Sequence, residues 1–320
     1  MRRTFLAVIT LAAGALSSCA RQHPQSQPSI VQQGSARTVG LHGRVTDHVI
    51  VISIDGLRPE AIEKYDAQTI KLLMREGRYT LTAQTITTSL TLPSHTSMLT
   101  GVGADVHGIT WNADKFAEKG YVKVPTIFGL AHEVGFTTAA FFSKTKFHEI
   151  DDPSTLDYSR APQGRLNPMF SEERTAGYVG EYLKHANPNL VFVHIMEPDF
   201  IGHQFGWMGY MYGQAVREAD KGIKRVLEEA DERFGRGSYT VILTADHGGH
   251  NKSHGTTDPR DMTIPWIVWG EGVQAGDTLS GIRTMDTAAT VLWLLGIDAP
   301  SNWVGKPVSR AFSPTVVTGR

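Results

Sequence analysis

The sequence has 320 residues, of which 41% are apolar and 20% are charged, so it can bury a sizeable globular core. Its 31 Lys and Arg residues nearly balance 32 Asp and Glu residues, giving a formal net charge of -1. This balance excludes a global basic field and an acidic tail, so we expect no specific nucleic-acid binding and only local recognition of anions.

The start of the chain has the pattern of an export signal. A basic Met-Arg-Arg start precedes the apolar run TFLAVITLAAGAL, which is shorter than a typical membrane span. The run ends in LSSC, which resembles the bacterial lipobox, where the cysteine is lipidated and becomes the mature N-terminus. We therefore predict a lipoprotein signal peptide over residues 1–19, a lipid anchor on Cys19 and a place in the bacterial cell envelope. The alternative is a plain signal peptide in which Cys19, the only cysteine, is incidental.

The next segment, residues 20–46, is rich in Gln, Ser, Gly and Pro and has no periodic apolar positions. A segment of this composition cannot bury enough surface to fold by itself. We predict a flexible tether over 20–46, followed by one folded domain over 47–320.

Apolar strands and amphipathic helices alternate through the rest of the chain. HVIVISIDG predicts a strand, and the segment from Pro59 to Gly77 predicts one helix after it. The same alternation predicts helix TIFGLAHEVG before strand FTTAAFFS, helix SEERTAGYVGEYLKHA before strand NLVFVHIME, a long helix before SYTVILTADHGG, then strand IPWIVWG and helix DTAATVLWLLG. This pattern indicates an α/β fold with a mainly parallel central sheet and helices on both faces.

Acidic residues follow three of these strands. Asp55 ends the first strand, Asp199 comes shortly after NLVFVHIM, and Asp246 and His247 follow YTVILT. A single Asp in such a place is most often a turn residue or a helix cap. Because ligands bind outside the carboxyl ends of strands in α/β sheets, three such ends with attached histidines indicate a site.

The histidines near these aspartates have metal-ligand spacing. Asp199 and His203 are four residues apart and share one face of a helical turn. The segment TADHGGHNKSHGT contains Asp246, His247, His250 and His254. Carboxylate and imidazole together suit zinc, and two sets of about three ligands would leave open positions for substrate.

Thr91 in the segment TLPSH stands at the predicted start of a short helix. A hydroxyl there can cap the helix, because Thr is a common capping residue. It can also act on an anion, because the unpaired N–H groups of a helix N-terminus attract negative charge. Taken alone, the segment leaves both interpretations open.

These ordered motifs resemble the alkaline phosphatase superfamily and, within it, the branch of type I phosphodiesterases and nucleotide pyrophosphatases. The resemblance runs from about Asp55 to about Trp269 and implies an alkaline-phosphatase-like catalytic domain. In that family an Asp, the Thr of T-x-P-x-H, an Asp-x-x-x-His pair, an Asp-His pair and a later His surround two zinc ions. The matching residues here, in the same order, are Asp55, Thr91, Asp199, His203, Asp246, His247 and His254.

The resemblance assigns a role to each match. It implies one zinc ion held by Asp199, His203 and His254, and a second held by Asp55, Asp246, His247 and the oxygen of Thr91. Thr91 becomes the nucleophile, which forms a phosphothreonine intermediate. In the segment HGITWN, Asn112 is expected to donate to a phosphoryl oxygen and His107 to order the loop. His95 and His250 are expected to lie outside the ligand set.

The choice between diester and monoester substrates stays open. Lys144 and Lys146 in FFSKTKF resemble the Lys-x-Arg pair that phosphate-irrepressible monoesterases of the superfamily use on the extra anionic oxygen. Two solvated lysines in a loop are the other interpretation, and a Lys in place of Arg loses the bidentate fork. We therefore expect a phosphodiesterase or nucleotide pyrophosphatase acting on a small phosphorylated substrate, with a monoesterase as the alternative.

Other function classes fit less well. A sulfatase is disfavoured because Thr91 cannot be converted to the aldehyde nucleophile and His95 stands where the sulfatase Arg would be. Transfer of a phosphorylated head group shares the Thr-zinc chemistry, and a non-catalytic binding lipoprotein of the envelope is a further alternative. Five aromatic residues could stack on a substrate, although packing is the more common role. They are Trp111, Phe116, Phe205, Trp207 and Tyr210.

Overall fold

The computed structural model describes residues 43–162 and 171–313. The predicted signal peptide, the anchor on Cys19 and most of the predicted tether lie outside the described residues and stay predictions. At the end of that tether, Val45 and Thr46 are buried, and both amides donate to the Leu294 carbonyl at 2.8 and 3.3 Å. These two residues therefore pack against the folded domain, although the prediction placed them in the tether.

Seven strands in the described residues form one mixed sheet. They are β1 (Val49–Ile54), β2 (Arg78–Gln84), β3 (Thr138–Phe141), β4 (Tyr158–Arg160), β5 (Leu190–Ile195), β6 (Thr240–Thr244) and β7 (Thr263–Gly270). Their order across the sheet is β2-β7-β6-β1-β5-β3-β4. Only β7 runs against the other strands, pairing antiparallel with both β6 and β2. The prediction of a mainly parallel sheet is confirmed.

Eleven α-helices accompany the sheet in the same described ranges. They are α1 (Pro59–Lys64), α2 (Gln68–Glu76), α3 (Thr91–Thr100), α4 (Ala104–His107), α5 (Phe116–Lys119), α6 (Ile127–Glu133), α7 (Ser171–His185), α8 (Glu197–Phe205), α9 (Tyr210–Phe234), α10 (Pro259–Met262) and α11 (Asp286–Leu294). One group packs around α9 and includes α2, α7 and α8, whereas α3 packs with α4, α6 and α11. Every residue of β1, β5 and β6 is buried, as expected for strands covered on both faces.

The segment after β1 departs from the sequence prediction, because it forms two helices instead of one. Asp66 adopts a left-handed backbone conformation with φ of 58° between α1 and α2. The carboxylate of Asp220 in α9 accepts hydrogen bonds from the amides of Thr69 and Ile70, at 3.0 and 2.8 Å. A distant side chain thus supplies the cap that starts α2, and no local pattern could reveal it.

The edge strands β2 and β4 were also not predicted. Both have mixed burial and lack the continuous apolar run of the central strands. Across 43–162 and 171–313, no helix combines the length and the hydrophobicity needed to cross a membrane.

An Asp220→Ala variant tests the remote cap. It leaves the amides of Thr69 and Ile70 buried without an acceptor, so we expect the free energy of unfolding to fall by about 1–3 kcal/mol in urea denaturation. The neighbouring Lys221→Ala variant changes an exposed side chain and should alter stability by less than about 0.5 kcal/mol. Equal stability of the two variants would contradict the capping role.

Candidate metal centre and active site

The carboxyl ends of β1, β5 and β6 meet at one edge of the sheet. Asp55 follows β1, Asp199 lies in the first turn of α8 after β5, and Asp246 and His247 follow β6. Because β1 pairs directly with both β5 and β6, these residues come together as the strand order requires. All of these side chains are buried.

Asp55, Asp246 and His247 form a first group, here named the Asp246 cluster. His247 Nε2 lies 3.3 Å from Asp55 Oδ1 and 3.2 Å from Asp246 Oδ2. Within residues 43–162 and 171–313, neither of these two carboxylate oxygens has a hydrogen-bond partner. The ligand atoms of the three residues lie close enough together to hold one metal ion.

Asp199, His203 and His254 form a second group, here named the His254 cluster. Asp199 Oδ1 lies 3.3 Å from His203 Nε2 and 3.4 Å from His254 Nε2, and these two nitrogens are 3.1 Å apart. Their Nδ1 atoms contact the carbonyls of Lys252 and Ser89, at 3.0 and 2.8 Å. These backbone contacts orient both Nε2 atoms toward Asp199.

The two clusters are adjacent. The rings of His247 and His254 stack with centroids 3.6 Å apart, and His247 Nε2 is 3.9 Å from Asp199 Oδ1. His203 is the exposed member, so the His254 cluster opens to solvent. All six predicted ligand side chains therefore converge at one edge of the sheet.

Lys144 links the clusters electrostatically. Its Nζ lies 2.6 Å from Asp55 Oδ2 and 2.6 Å from Asp199 Oδ2. Burial alone would raise the pKa of Asp55, but the charge of Lys144, the hydrogen bond from His194 and the charge of His247 outweigh it and hold that pKa well below its usual range. Burial and the nearby charge of Asp55 raise the pKa of Asp246 to about 8.

The donor set fits divalent metal. Three carboxylate oxygens without hydrogen-bond partners, one each from Asp55, Asp199 and Asp246, are buried beside imidazole nitrogens. Buried carboxylates at this density are costly unless cations compensate them, and Lys144 provides a single positive charge. Mixed oxygen and nitrogen ligands are those that zinc accepts.

Thr91 lies at the Asp246 cluster. It is the first residue of α3, and Leu90 rather than Thr91 occupies the capping position, with no side-chain cap. Thr91 Oγ1 is buried and lies 3.3 Å from His247 Nε2. The helix-cap interpretation of Thr91 is therefore wrong, since a residue inside the first turn cannot serve as the cap.

Asn112 and Lys146 lie beside Thr91. Asn112 Oδ1 accepts from the Leu92 amide at 3.0 Å and from Lys146 Nζ at 3.2 Å. Burial, followed by the nearby charge of Lys144, lowers the pKa of Lys146. Both lysines thus face the site, which removes the interpretation that they are merely solvated.

The other singled-out residues surround the site. His107 contacts Ser97 and accepts from the Ile109 amide, and burial lowers its pKa to about 4. His250 pairs with Asp261 at 2.7 Å and belongs to neither cluster. These contacts give both histidines structural partners.

The five aromatic residues divide by exposure. Trp207 is buried and contacts the rings of His203 and His254, whereas Phe205 and Tyr210 are among the exposed large apolar side chains. Phe116 lies partly buried against Tyr121. The fifth, Trp111, is partly buried and is tied into the loop that carries Asn112.

Sequence reasoning missed two buried polar residues around the site, Glu149 and His194. Glu149 accepts from the Trp111 indole and from the Lys115 amide, and so anchors the loop that carries Asn112. His194 lies on β5. Neither belongs to a recognisable spacing pattern, so the sequence offered no signal for them. His95, which the TLPSH segment had singled out, contacts Ser53 Oγ and the Thr91 carbonyl, each at 2.8 Å.

Comparisons with known proteins identify a family model and several relatives that resemble this chain. The family model described as type I phosphodiesterase / nucleotide pyrophosphatase matches residues 49–258. GPI ethanolamine phosphate transferase 1 of Candida glabrata is 23% identical over 255 residues, covering 67% of this chain and 27% of that protein. Bis(5'-adenosyl)-triphosphatase ENPP4 of Bos taurus is 26% identical over 222 residues, covering 62% of this chain and 47% of that protein. The chain thus spans less than half the length of these curated relatives.

Solved structures show the same fold. Murine ectonucleotide pyrophosphatase / phosphodiesterase 5, as an inactive Thr-to-Ala variant in complex with AMP, superposes with a TM-score of 0.70 at 17% identity. The match covers 83% of this chain and 100% of that chain. A 2-O GAG sulfatase superposes with a TM-score of 0.69 at 16% identity, covering 86% and 75% of the two chains.

The clusters predict that zinc stabilises the protein. At a free zinc concentration of 100 times the Kd, we expect each site to add about 2.7 kcal/mol to the unfolding free energy of chelator-treated protein, measured by thermal denaturation. Asp246→Asn and His254→Gln should each reduce this gain, because each alters a different cluster. His250→Gln, outside both clusters, is the matched control. An unchanged gain in the Asp246→Asn/His254→Gln double variant would contradict the metal centre.

Proposed function

The chain belongs to the type I phosphodiesterase / nucleotide pyrophosphatase family, and from that membership we propose that it hydrolyses phosphodiester or pyrophosphate bonds with two zinc ions and Thr91 as nucleophile. One observation carries the proposal. The buried hydroxyl of Thr91 lies within 3.3 Å of His247 Nε2, at the edge where both Asp/His clusters meet. A hydroxyl in such a place is suited to attack on phosphorus.

Each cluster has a complete ligand set for one ion. Asp199, His203 and His254 would hold one zinc ion. Asp55, Asp246 and His247, together with the Thr91 oxygen, would hold the other. Bound zinc supplies Lewis acidity that favours the ionised hydroxyl and stabilises charge on the leaving oxygen.

The chain's own groups carry out the bond changes. Attack by Thr91 Oγ1 forms an oxygen–phosphorus bond and breaks the bond from phosphorus to the leaving oxygen; the hydroxyl proton leaves with the first alcohol or phosphate, and an ester of phosphothreonine remains. Water then attacks that phosphorus, the second phosphate product is released, and one proton of the water restores the Thr91 hydroxyl. The Leu92 amide donates to Asn112 Oδ1 at 3.0 Å and so holds this side chain near Thr91, where the Asn112 NH2 group would donate to a phosphoryl oxygen.

The relatives support a small phosphorylated substrate. One matched protein is a bis(5'-adenosyl)-triphosphatase, and the murine structural neighbour was solved with AMP. The GPI ethanolamine phosphate transferases fit a lesser alternative, in which a hydroxyl group rather than water accepts the phosphoryl group from Thr91. The full set of ligand side chains with Thr91 argues against a non-catalytic binding lipoprotein. We also propose that lipid on Cys19 holds the exported protein at the bacterial envelope membrane.

A second candidate is a phosphate monoesterase, because both lysines lie at the site. Lys146 Nζ is 3.2 Å from Asn112 Oδ1, where it can neutralise the additional charge of a monoester. Lys144 is engaged by Asp55 and Asp199. Lys146 is therefore the residue whose substitution distinguishes a monoesterase from a phosphodiesterase.

Thr91→Ala tests the nucleophile. With zinc supplied, we expect kcat on an aryl phosphodiester to fall by at least about 1,000-fold, because no hydroxyl remains to form the covalent intermediate. Zinc-dependent thermal stabilisation should persist in this variant, although reduced by the loss of the Thr91 oxygen, since the Asp and His side chains of both clusters are unchanged. If Thr91→Ala retains more than about a tenth of wild-type kcat, Thr91 is not the nucleophile.

Lys146→Met tests the substrate class with matched aryl monoester and diester phosphates. If the protein is a monoesterase, kcat/KM for the monoester should fall about 10- to 100-fold, the worth of one hydrogen bond to a charged group. The proposed phosphodiesterase prefers the diester and should lose less than about threefold on it. Monoester preference in the unaltered protein, abolished by Lys146→Met, would replace the diesterase proposal.

A further inference from the structure

A buried histidine outside both clusters contacts a predicted metal ligand. His194 on β5 is fully buried, and both of its ring nitrogens have partners. Nε2 lies 3.0 Å from Asp55 Oδ2, and Nδ1 lies 2.6 Å from Ser143 Oγ. Because a carboxylate only accepts hydrogen bonds, Nε2 donates to Asp55, and the Ser143 hydroxyl donates to Nδ1.

The two oxygens of Asp55 have different surroundings. Oδ2 accepts from His194 and also lies 2.6 Å from Lys144 Nζ. Oδ1 has no hydrogen-bond partner and lies 3.3 Å from His247 Nε2, inside the Asp246 cluster. His194 and Lys144 therefore occupy Oδ2, whereas Oδ1 faces the proposed metal position in the Asp246 cluster.

The ring of His194 is held by its neighbours. The His95 and Phe147 rings pack edge-on against it, with centroid distances of 4.9 and 4.7 Å. In the parallel pairing of β5 with β1, His194 lies opposite Ser53, two residues before Asp55. This support comes from the centre of the sheet, so the donor position is fixed by core packing.

We propose that His194 is a positioning residue for the Asp246 cluster: it fixes the carboxylate of Asp55 so that Oδ1 is presented to the metal, while Ser143 fixes which ring nitrogen donates. The inference rests on the proposed metal centre. Hydrogen bonds of this kind orient metal ligands, and removing them typically weakens metal binding by about 10- to 100-fold. The inference assigns His194 and Ser143 a role in metal affinity and none in contacting substrate.

The test measures zinc affinity at the Asp246 cluster alone. A full-length His254→Gln background removes a ligand both from the His254 cluster and from the neighbouring group of Asp199, His247 and His254, and zinc Kd is then measured by competition with a chromophoric chelator. Adding His194→Leu should weaken the Kd by about 10- to 100-fold. His194→Gln restores a side-chain N–H donor and should recover most of the affinity, and Ser143→Ala should cause a smaller loss. His107→Gln, a buried histidine bonded to Ser97 and Ile109, is the matched control and should leave the Kd unchanged.

The outcomes separate this inference from the proposed metal centre. If the unaltered protein binds no zinc, the metal centre is refuted and the role of His194 falls with it. If zinc binds but the His194→Leu Kd stays within about threefold of the background while the melting temperature drops, His194 is only a core residue and this inference alone is overturned. If His194→Leu does not fold, the Ser143→Ala and His194→Gln variants test the proposal instead. An unchanged zinc Kd in Ser143→Ala would contradict the proposal. So would a His194→Gln variant that loses as much zinc affinity as Asp246→Asn.

Discussion

Three carboxylates buried at one edge of a sheet are the constraint on which the rest of the site depends. Asp55, Asp199 and Asp246 each have an oxygen without a hydrogen-bond partner. Burying such charges is unfavourable unless cations or donors compensate them. The chain provides Lys144 between two of them and histidines around all three. The remaining demand for positive charge is the argument for a metal centre at this edge rather than a set of helix caps.

Glycines allow the loops to approach closely enough to form this arrangement. Gly56 has a φ of 70°, and a Cβ there would lie 2.9 Å from the Cα of Asp199. A Cβ at Gly249 would meet the Trp207 ring at 2.2 Å, and that ring also contacts the rings of His203 and His254. The Asp-Gly and Gly-Gly pairs of the sequence are thus packing requirements of the site as well as turn residues.

The sequence predicted which side chains converge because Asp55, Asp199 and Asp246 follow apolar strands, and parallel strands of one sheet place their carboxyl ends together. It could not predict the break between α1 and α2, since the cap is Asp220, far along the chain. It also gave no signal for His194 and Glu149, because a single polar residue in a strand or loop has no periodicity. The roles of these residues depend on contacts between segments that are distant in the chain. The spacing of residues in the sequence indicates only local geometry.

The charge distribution also bears on substrate choice. Lys144 is in contact with Asp55 and Asp199, so its charge offsets theirs and is largely unavailable to substrate. Lys146 makes no such ion pair; it contacts the neutral amide oxygen of Asn112, and burial lowers its pKa. A desolvated ammonium beside the phosphoryl position would be stabilised most by a substrate with the extra negative charge of a monoester. A diester lacks that extra negative charge and would neutralise the positive charge of Lys146 less fully. In the proposed mechanism, the balance between the two substrate classes would therefore depend on this one lysine more than on the proposed metal ligands, which both chemistries would share.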